Sequence, residues 1–304
     1  MKAIIKSGII RLTGMPPSGI RTRISNRLRT LIDRVKYGQN PMFRTVSIET
    51  SSYCNRTCGT CPVSQHPRGK KYLSEELYVK IVGELARIRY AGEVYLHGYN
   101  EPLCDSSLPD KVRLARKLLP RARILFFSNG DYLTLALLRE LVSSGLDELR
   151  VMMYDGKIHA HIEAILGQAS DRERSVLQVH VTSGFIGNRG GNLEQVVAPG
   201  PLLADCYLPS QQLAIYYDGT VPVCCNDYHG AVAMGNVEET PIMEIWNNEG
   251  FRAVRSMLKQ RQRDRISVCK GCNFLGAAHD FRYLTAEEMR AFNSKVVAKS
   301  GVGT

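Results

Sequence analysis

The sequence lacks any uninterrupted run of about 18 or more apolar residues, so it predicts no transmembrane helix. The apolar stretch near its start is broken by Lys6, Gly8 and Arg11, which makes it a poor signal peptide. We therefore expect a cytoplasmic protein. The chain also lacks internal repeats and low-complexity segments. With 304 residues and a hydrophobic fraction of 44%, it is expected to form one packed domain, with or without a small appendage.

Acidic residues are nearly absent from residues 1–42. Nine Lys and Arg stand there against Asp33 alone, a net charge of +8 out of the chain's +11. This basic N-terminal extension is either a solvated, partly helical segment or a contact for an anionic partner. Such a partner would be a phosphorylated substrate, a lipid surface or another chain. No nucleic-acid-binding motif accompanies the charge, so we expect no nucleic-acid partner.

From residue 43 onward, strand-like and helix-like segments alternate. Repeated strand–helix units with buried apolar strands predict an α/β fold with a parallel sheet, open or curled into a partial barrel. Ser74 is predicted to cap the first helix of the series. The predicted strands are 45–50, 93–97, 123–127, 148–153 and 176–181, and the predicted helices are 73–89, 110–119, 133–143 and 158–166.

The alternation stops after residue 184, and a different pattern follows. Segments 212–217 and 220–224 predict a β-hairpin that turns at Asp218-Gly219. One helix is predicted over 241–259, and a last helix is predicted after Leu284. A small hairpin and helix region therefore follows the strand–helix series.

Three cysteines, Cys54, Cys58 and Cys61, form C-x3-C-x2-C in the loop after the first predicted strand. Nine cysteines in a reducing compartment are better interpreted as metal ligands than as disulfides. Three thiolates on one short loop suit a four-iron cluster with one iron left open for a small chelating molecule. Zinc is the alternative, but structural zinc needs four ligands, and only His66 stands nearby as a fourth.

A second set of four cysteines lies in the C-terminal part of the chain. Four thiolates complete either a closed four-iron cluster or a structural zinc site, and ligand chemistry alone leaves both open. Cys104 and Cys225 are the two cysteines that neither set needs. The four members of the second set are Cys206, Cys224, Cys269 and Cys272.

The C-x3-C-x2-C loop after the first strand of a strand–helix series resembles the radical S-adenosylmethionine (SAM) superfamily. The resemblance implies a partial (β/α)6 barrel over residues 43–195 and a catalytic 4Fe-4S cluster. That cluster would bind SAM and cleave it to a 5′-deoxyadenosyl radical. It also implies an external electron donor such as flavodoxin or ferredoxin.

Two segments at strand ends resemble the parts of that family that contact SAM. They are the segment from His97 to Pro102 and the polar end of the third strand. Asn100 takes the place of a glycine, and asparagine tolerates positive φ, so the turn can survive. Taken separately, both segments are ordinary turn signals. The implied SAM-binding residues are Gly98, Tyr99, Asn100, Glu101, Ser128 and Asn129.

The second cysteine set and its hairpin resemble the shortened auxiliary-cluster ("twitch") region of SPASM-type radical SAM enzymes. This implies a second 4Fe-4S cluster, an auxiliary region over 196–284 and a tail over 285–304. The Asn-Arg-Gly-Gly segment at 188–191 resembles members of the family that oxidise aminocyclitols, which implies that Arg189 lies at the substrate. The alternative is that this segment is an exposed turn.

Three functions compete on these grounds. The first is an enzyme that acts on a small sugar or aminocyclitol, either oxidising an alcohol to a ketone or epimerising a carbon. Epimerisation needs a thiol hydrogen donor, and Cys225 suits that role better than Cys104 because it adjoins the auxiliary site. Otherwise Cys104 is a small buried residue and Cys225 is a structural or alternate ligand.

The second function is peptide modification, which is disfavoured because the 42 residues before the barrel are too few for a peptide-binding domain. A non-enzymatic metal-binding scaffold ranks last because it would not use an open iron.

Overall fold

The structure is a computed structural model that describes residues 42–181, 187–193, 195–276 and 283–300. Within these residues, six strands form one parallel sheet and two form a separate antiparallel pair. The predicted α/β class with a small hairpin region is therefore confirmed. The strands are β1 (Thr45–Ile48), β2 (Glu93–Tyr95), β3 (Arg123–Ser128), β4 (Glu148–Met153), β5 (Leu177–Val181), β6 (Gln212–Ile215), β7 (Thr220–Pro222) and β8 (Ala233–Asn236).

The strand order in the parallel sheet is β5-β4-β3-β2-β1-β6. Helices connect the successive strands from β1 to β5, as the alternation predicts. Ser74 caps the first helix, and its hydroxyl accepts the N–H of Leu77 at 3.1 Å. The described helices are α1 (Glu75–Arg87), α2 (Leu108–Leu118), α3 (Leu135–Ser143), α4 (Ala160–Gln168), α5 (Asp171–Val176), α6 (Ile242–Trp246), α7 (Glu249–Lys259), α8 (Ser267–Lys270) and α9 (Ala286–Ser300).

The prediction of one helix over 241–259 is wrong, because the helix is interrupted between α6 and α7. Asn248 has an extended conformation, with φ −69° and ψ 168°, and its side chain accepts the N–H of Phe251 at 2.9 Å. Asparagine side chains favour this capping geometry over a helix interior. After the interruption, Val254 and Leu258 of α7 pack in the same apolar cluster as Cys224 and Cys272.

The predicted turn at Asp218-Gly219 is confirmed, but the two segments it joins enter different sheets. Gly219 has a φ of 82°, and Tyr216 donates its N–H to the carbonyl of Thr220 at 2.8 Å. β6 then pairs in parallel with β1, whereas β7 pairs with β8. Leu213 and Ile215 of β6 and Val221 of β7 all belong to the main apolar core, so the difference lies in the partner strand and not in burial.

The parallel sheet has one apolar face and one mixed face. Side chains alternate along each strand, so residues in register point to the same side. Val46, Val94 and Ile124 stand in register and are fully buried beneath the helices. The opposite face contains polar and aromatic side chains that are partly exposed, so it forms the inner face of an open barrel. These inner residues include Tyr95, Phe127, Arg150, Gln178 and His180.

In the part of the chain described here, none of the helices is both long and apolar enough to cross a membrane. The basic extension lies outside the described residues except for Met42, which is buried. The predicted C-terminal helix is confirmed as α9. Asn293 in α9 accepts the N–H of Leu203 at 2.8 Å and thereby fixes this helix to the segment that precedes Cys206.

Candidate active site

The first cysteine loop follows β1, at the carboxyl end of the parallel sheet. Cys54, Cys58 and Cys61 are all half-buried free thiols, and Cys61 donates its N–H to the carbonyl of Cys58 at 3.0 Å. Burial, together with the negative charge of Glu101 and the two neighbouring thiols, raises the pKa of Cys54 to about 11. A bound iron–sulfur cluster would keep these thiols deprotonated despite the rise in pKa, because coordination removes the thiol proton.

Glu101, Ser128 and Asn129 meet where β2 and β3 end. Glu101 is 2% exposed. It accepts the Ser128 hydroxyl at 2.7 Å, the Asn129 N–H at 2.8 Å and the Leu103 N–H at 3.0 Å. A carboxylate has about four acceptor positions, so these three donors leave one for a ligand. Burial raises the pKa of Glu101 above its usual value, and a cationic ligand would favour its ionised form.

The turn that precedes Glu101 is held by the side chain of Asn100. Its Oδ1 accepts the N–H of Gly98 at 2.8 Å, and its amide donates to the hydroxyl of Thr50 at 2.8 Å. Asn100 is not among the described residues with positive φ, so the turn forms without the left-handed conformation that asparagine tolerates. Gly98 is required for space, because an added Cβ would lie 2.9 Å from a carboxylate oxygen of Glu49.

A polar network that sequence reasoning missed joins the cysteine loop to the end of β3. Asn55 donates to Asp131 at 2.8 Å, Arg56 donates to the same carboxylate at 2.8 Å, and Asn129 donates to Asn55 at 2.8 Å. The Arg56 hydrogen bond holds the pKa of Asp131 below its usual value. Cys104 lies beside this network, with its sulfur 3.9 Å from Asn55 Oδ1.

A buried ion pair behind the SAM-like segment was also missed. Glu49 is 1% exposed; it pairs with Arg68 and accepts the N–H of Tyr99 at 2.8 Å. The Arg68 guanidinium lies 4.5 Å from the ring centre of Tyr228. Through this hydrogen bond, the ion pair holds the backbone of Tyr99 in place.

The four auxiliary cysteines line one cavity, with about 340 Å³ of space between the surrounding atoms, part of it open to solvent. Among the described residues, no three His, Cys, Asp or Glu side chains converge closely enough to hold a single metal ion. Four cysteines around one cavity fit the ligand set of a four-iron cluster or of a structural zinc ion. The lining cysteines are Cys206, Cys224, Cys269 and Cys272.

The segment at 188–191 is packed against the auxiliary cysteine loop, so its interpretation as an exposed turn is wrong. Asn188 is 1% exposed, and it exchanges hydrogen bonds with Asn273 at 3.0 and 3.2 Å. Gly190 has a φ of 68°, and a Cβ there would lie 2.7 Å from a methyl group of Val268. The Asn188 side-chain amide also donates to the carbonyl of Gly271 at 2.5 Å, next to Cys272.

Arg189, Tyr99 and Cys225 come together between the two cysteine sets. Tyr99 donates its hydroxyl to the carbonyl of Cys225 at 2.6 Å, and the Arg189 guanidinium lies 5.9 Å from the Tyr99 ring centre. Burial opposes the charge of Arg189, but the nearby Tyr283, Tyr99 and Cys61 outweigh it and raise its pKa. Burial raises the pKa of Cys225 to about 11 despite the Arg189 charge. Both thiol and guanidinium are therefore protonated at neutral pH.

His97 belongs to the same inner face and is a neutral group. Its Nδ1 accepts the N–H of Phe127 at 3.3 Å, so the ring proton lies on Nε2. Burial and the charges of Arg150 and Arg189 lower its pKa to about 3. The inner face thus offers a neutral imidazole and a guanidinium to a polar ligand.

Comparison with known families gives two matches that cover the two cysteine sets. Residues 48–161 match the radical SAM superfamily, and residues 206–273 match SPASM, described as an iron–sulfur cluster-binding domain. The chain is 31% identical over 245 residues to the S-adenosyl-L-methionine-dependent 2-deoxy-scyllo-inosamine dehydrogenase of Niallia circulans. This alignment covers 80% of the chain and 97% of the relative.

Solved structures of other proteins also resemble this chain. The chain resembles the crystal structure of BtrN in complex with AdoMet and 2-DOIA, with a TM-score of 0.71, 29% identity and coverage of 77% of this chain and 94% of BtrN. The open conformation of BtrN gives a TM-score of 0.59 at 29% identity, with coverage of 76% and 92%. Native anSMEcpe with bound AdoMet shares the fold, with a TM-score of 0.51, 12% identity and coverage of 84% and 98%.

Proposed function

The chain belongs to the radical SAM superfamily, and from this membership we propose that it oxidises an alcohol of a sugar or aminocyclitol to a ketone. The observation that carries the proposal is the position of Arg189. It lies between the two cysteine sets, beside Tyr99 of the SAM-like segment, and its loop is bonded to the loop of Cys272 through Asn188. A small polar substrate bound at Arg189 would be within reach of both sites.

We assign Cys54, Cys58 and Cys61 as ligands of a catalytic 4Fe-4S cluster, and the four cavity cysteines as ligands of an auxiliary 4Fe-4S cluster. Glu101 offers its remaining acceptor position to the ammonium group of SAM. When bound, the catalytic cluster and SAM would supply a 5′-deoxyadenosyl radical that removes a hydrogen atom from the substrate. The auxiliary cluster would supply an acceptor for the electron that oxidation releases. Flavodoxin or ferredoxin is the class of external electron donor that such chemistry needs.

Arg189 is proposed to hold and orient the reacting hydroxyl. Its guanidinium cannot act as a base, because it stays protonated at any ordinary pH. A fixed cation beside the hydroxyl instead stabilises the negative charge that develops as the hydroxyl loses its proton. The Asn188–Asn273 bonds and the glycine at 190 hold this cation in place. Arg189 is therefore assigned to orientation and electrostatic stabilisation.

Epimerisation is the second candidate, and the position of Cys225 favours it. The thiol is protonated, half-buried and adjacent to Arg189, as a hydrogen donor to a substrate radical would need to be. Oxidation is preferred because the 31% identical relative is a dehydrogenase and because four cysteines other than Cys225 line the auxiliary cavity.

The test uses 2-deoxy-scyllo-inosamine as substrate, with reconstituted enzyme, SAM and reductant in D₂O. Oxidation is expected to yield a ketone two hydrogens lighter, with one 5′-deoxyadenosine per product. Epimerisation would instead yield an isomer with deuterium at the reacting carbon, because a thiol exchanges its proton with solvent.

If the reaction is oxidation, Cys225→Ala should keep the rate of ketone formation within about two-fold of wild type, as expected for a group without an acid–base or nucleophilic role. Cys104→Ala serves as the matched thiol control. Formation of a deuterated isomer, lost in Cys225→Ala alone, would reject oxidation in favour of epimerisation.

A second test addresses Glu101. Glu101→Gln is expected to weaken SAM binding by about 1.5–3 kcal/mol, the range for a hydrogen bond to a charged group. Equilibrium dialysis of the reconstituted enzyme with labelled SAM measures the affinity. Asp105→Asn is the matched control, because Asp105 is also buried but pairs with Lys111 at 2.9 Å. Equal SAM affinity in Glu101→Gln and wild type would remove Glu101 from the SAM site.

The domain limits also remain proposals. We propose an N-terminal basic extension over 1–42, a barrel over 43–195, an auxiliary region over 196–284 and a tail over 285–304. An anionic partner for the extension remains a prediction, since these residues lie almost entirely outside those described.

A further inference from the structure

Arg263 is a buried cation in the wall of the auxiliary cavity. It is 1% exposed and lines the same cavity as the four auxiliary cysteines. Its hydrogen bonds within the described residues all go to backbone carbonyls, so no carboxylate there neutralises its charge. The acceptors are Phe274 at 2.7 Å, Ala204 at 2.9 Å, Leu275 at 3.3 Å and Asp205 at 3.4 Å.

A guanidinium in this position requires a negative partner. Burial of an unpaired charge is costly, so buried charges are normally matched by an opposite charge nearby. Arg263 lines the cavity together with Cys269 and Cys272 and bonds both segments that carry auxiliary ligands. Among the described residues that line the cavity, the cysteines are the ones that can become negative, as thiolates and through what they bind.

We infer that Arg263 is the buried counter-charge of the auxiliary iron–sulfur cluster and raises that cluster's reduction potential. The inference rests on the proposed function, which assigns a cluster to this cavity. A cluster becomes more negative when it accepts an electron, so a fixed cation beside it stabilises the reduced form more than the oxidised form. Arg263 thus favours electron acceptance, which oxidation of a substrate requires and thiol-mediated epimerisation does not.

Arg263 also has a positioning role that the test must separate. Its guanidinium bonds the carbonyl of Ala204, just before Cys206, and that of Phe274, just after Cys272. It therefore ties together the two segments that carry auxiliary ligands. Lysine retains the charge but loses the planar fork that makes these bonds, whereas glutamine retains hydrogen-bond donors without the charge.

The experiment uses the full-length chain with Cys54, Cys58 and Cys61 replaced by Ala, so that the auxiliary cluster is observed alone. Arg263→Gln and Arg263→Lys are added, and iron and sulfide are assayed before a redox titration followed by electron paramagnetic resonance. We expect Arg263→Gln to shift the reduction equilibrium at least tenfold towards the oxidised cluster, about 59 mV for one electron. In Arg263→Lys the reduction equilibrium of the cluster should stay within about threefold of the parent value, because lysine retains the charge.

Arg255→Gln is the matched control in the same background. Arg255 is also partly buried and also donates to backbone carbonyls, those of Pro209 at 2.8 Å and Trp246 at 2.7 Å. It packs on the Trp246 ring, 3.8 Å from its centre, and is not among the residues that line the cavity. Its replacement should leave the reduction potential unchanged.

The outcomes separate three cases. An Arg263→Gln cluster with the parent's potential would overturn the inference, and so would loss of iron from both Arg263→Gln and Arg263→Lys, since Arg263 would then only hold the loops. Loss of iron from Arg263→Gln alone, with the reduction potential of Arg263→Lys equal to that of the parent, would support the inference. A parent chain that binds no iron would instead contradict the proposed auxiliary cluster itself.

Discussion

Replacement of Cys54, Cys58 and Cys61 by Ala is expected to abolish SAM cleavage completely while leaving about half of the iron, since two four-iron clusters of this type hold roughly eight irons. The two cysteine sets lie in separate parts of the structure. The first loop contacts the ends of β2 and β3, whereas the auxiliary cysteines line a separate cavity in the C-terminal region. Loss of the cluster at one site should therefore leave the other site folded.

Measurement requires anaerobic reconstitution, iron and sulfide assays and detection of 5′-deoxyadenosine after reduction. The reciprocal variant, with the four cavity cysteines replaced by Ala, is the control. It is expected to keep SAM cleavage, lose the other half of the iron and form no ketone. One equivalent of zinc bound to the triple variant, in place of iron, would contradict the auxiliary cluster. Persistent SAM cleavage in the triple variant would contradict the assignment of the first loop.

Arg189→Ala is expected to lower the rate of ketone formation by about 10²–10⁴-fold, the range for loss of a group that orients a substrate or assists proton transfer. The structure gives the reason, because Arg189 lies beside Tyr99 and Cys225 between the two cysteine sets. Arg189→Lys should recover only part of the rate, since an ammonium cannot reproduce the fork of a guanidinium.

A purely structural role for Arg189 can be distinguished by a second readout. If Arg189 acts on the substrate, Arg189→Ala should still hold two clusters and still cleave SAM without substrate. 5′-Deoxyadenosine would then form without matching ketone. Arg139→Ala is the control, because Arg139 pairs with Glu173 on the outer surface, 3.3 Å away. A normal rate of ketone formation in Arg189→Ala would remove Arg189 from the proposed active site.

Most of the sheet and both cysteine sets could be predicted from the sequence. Alternation of apolar segments fixes the type of each element locally, which is why β1 to β5 and α1 to α4 match their predicted ranges closely. The predictions fail where a side chain competes with the backbone, as Asn248 does between α6 and α7. They also fail where a distant partner strand decides the sheet, since β6 pairs with β1 whereas β7 pairs with β8.

The sequence by itself determined that the cysteines form two sets and that the first set follows the first strand, because spacing and strand ends are local properties of the chain. Only the tertiary structure decided how these pieces are connected. The Tyr99–Cys225 and Asn188–Asn273 bonds and the carbonyl partners of Arg263 join residues far apart along the chain. No local periodicity constrains such contacts, because they depend on how β6 and the auxiliary loops pack against the finished sheet.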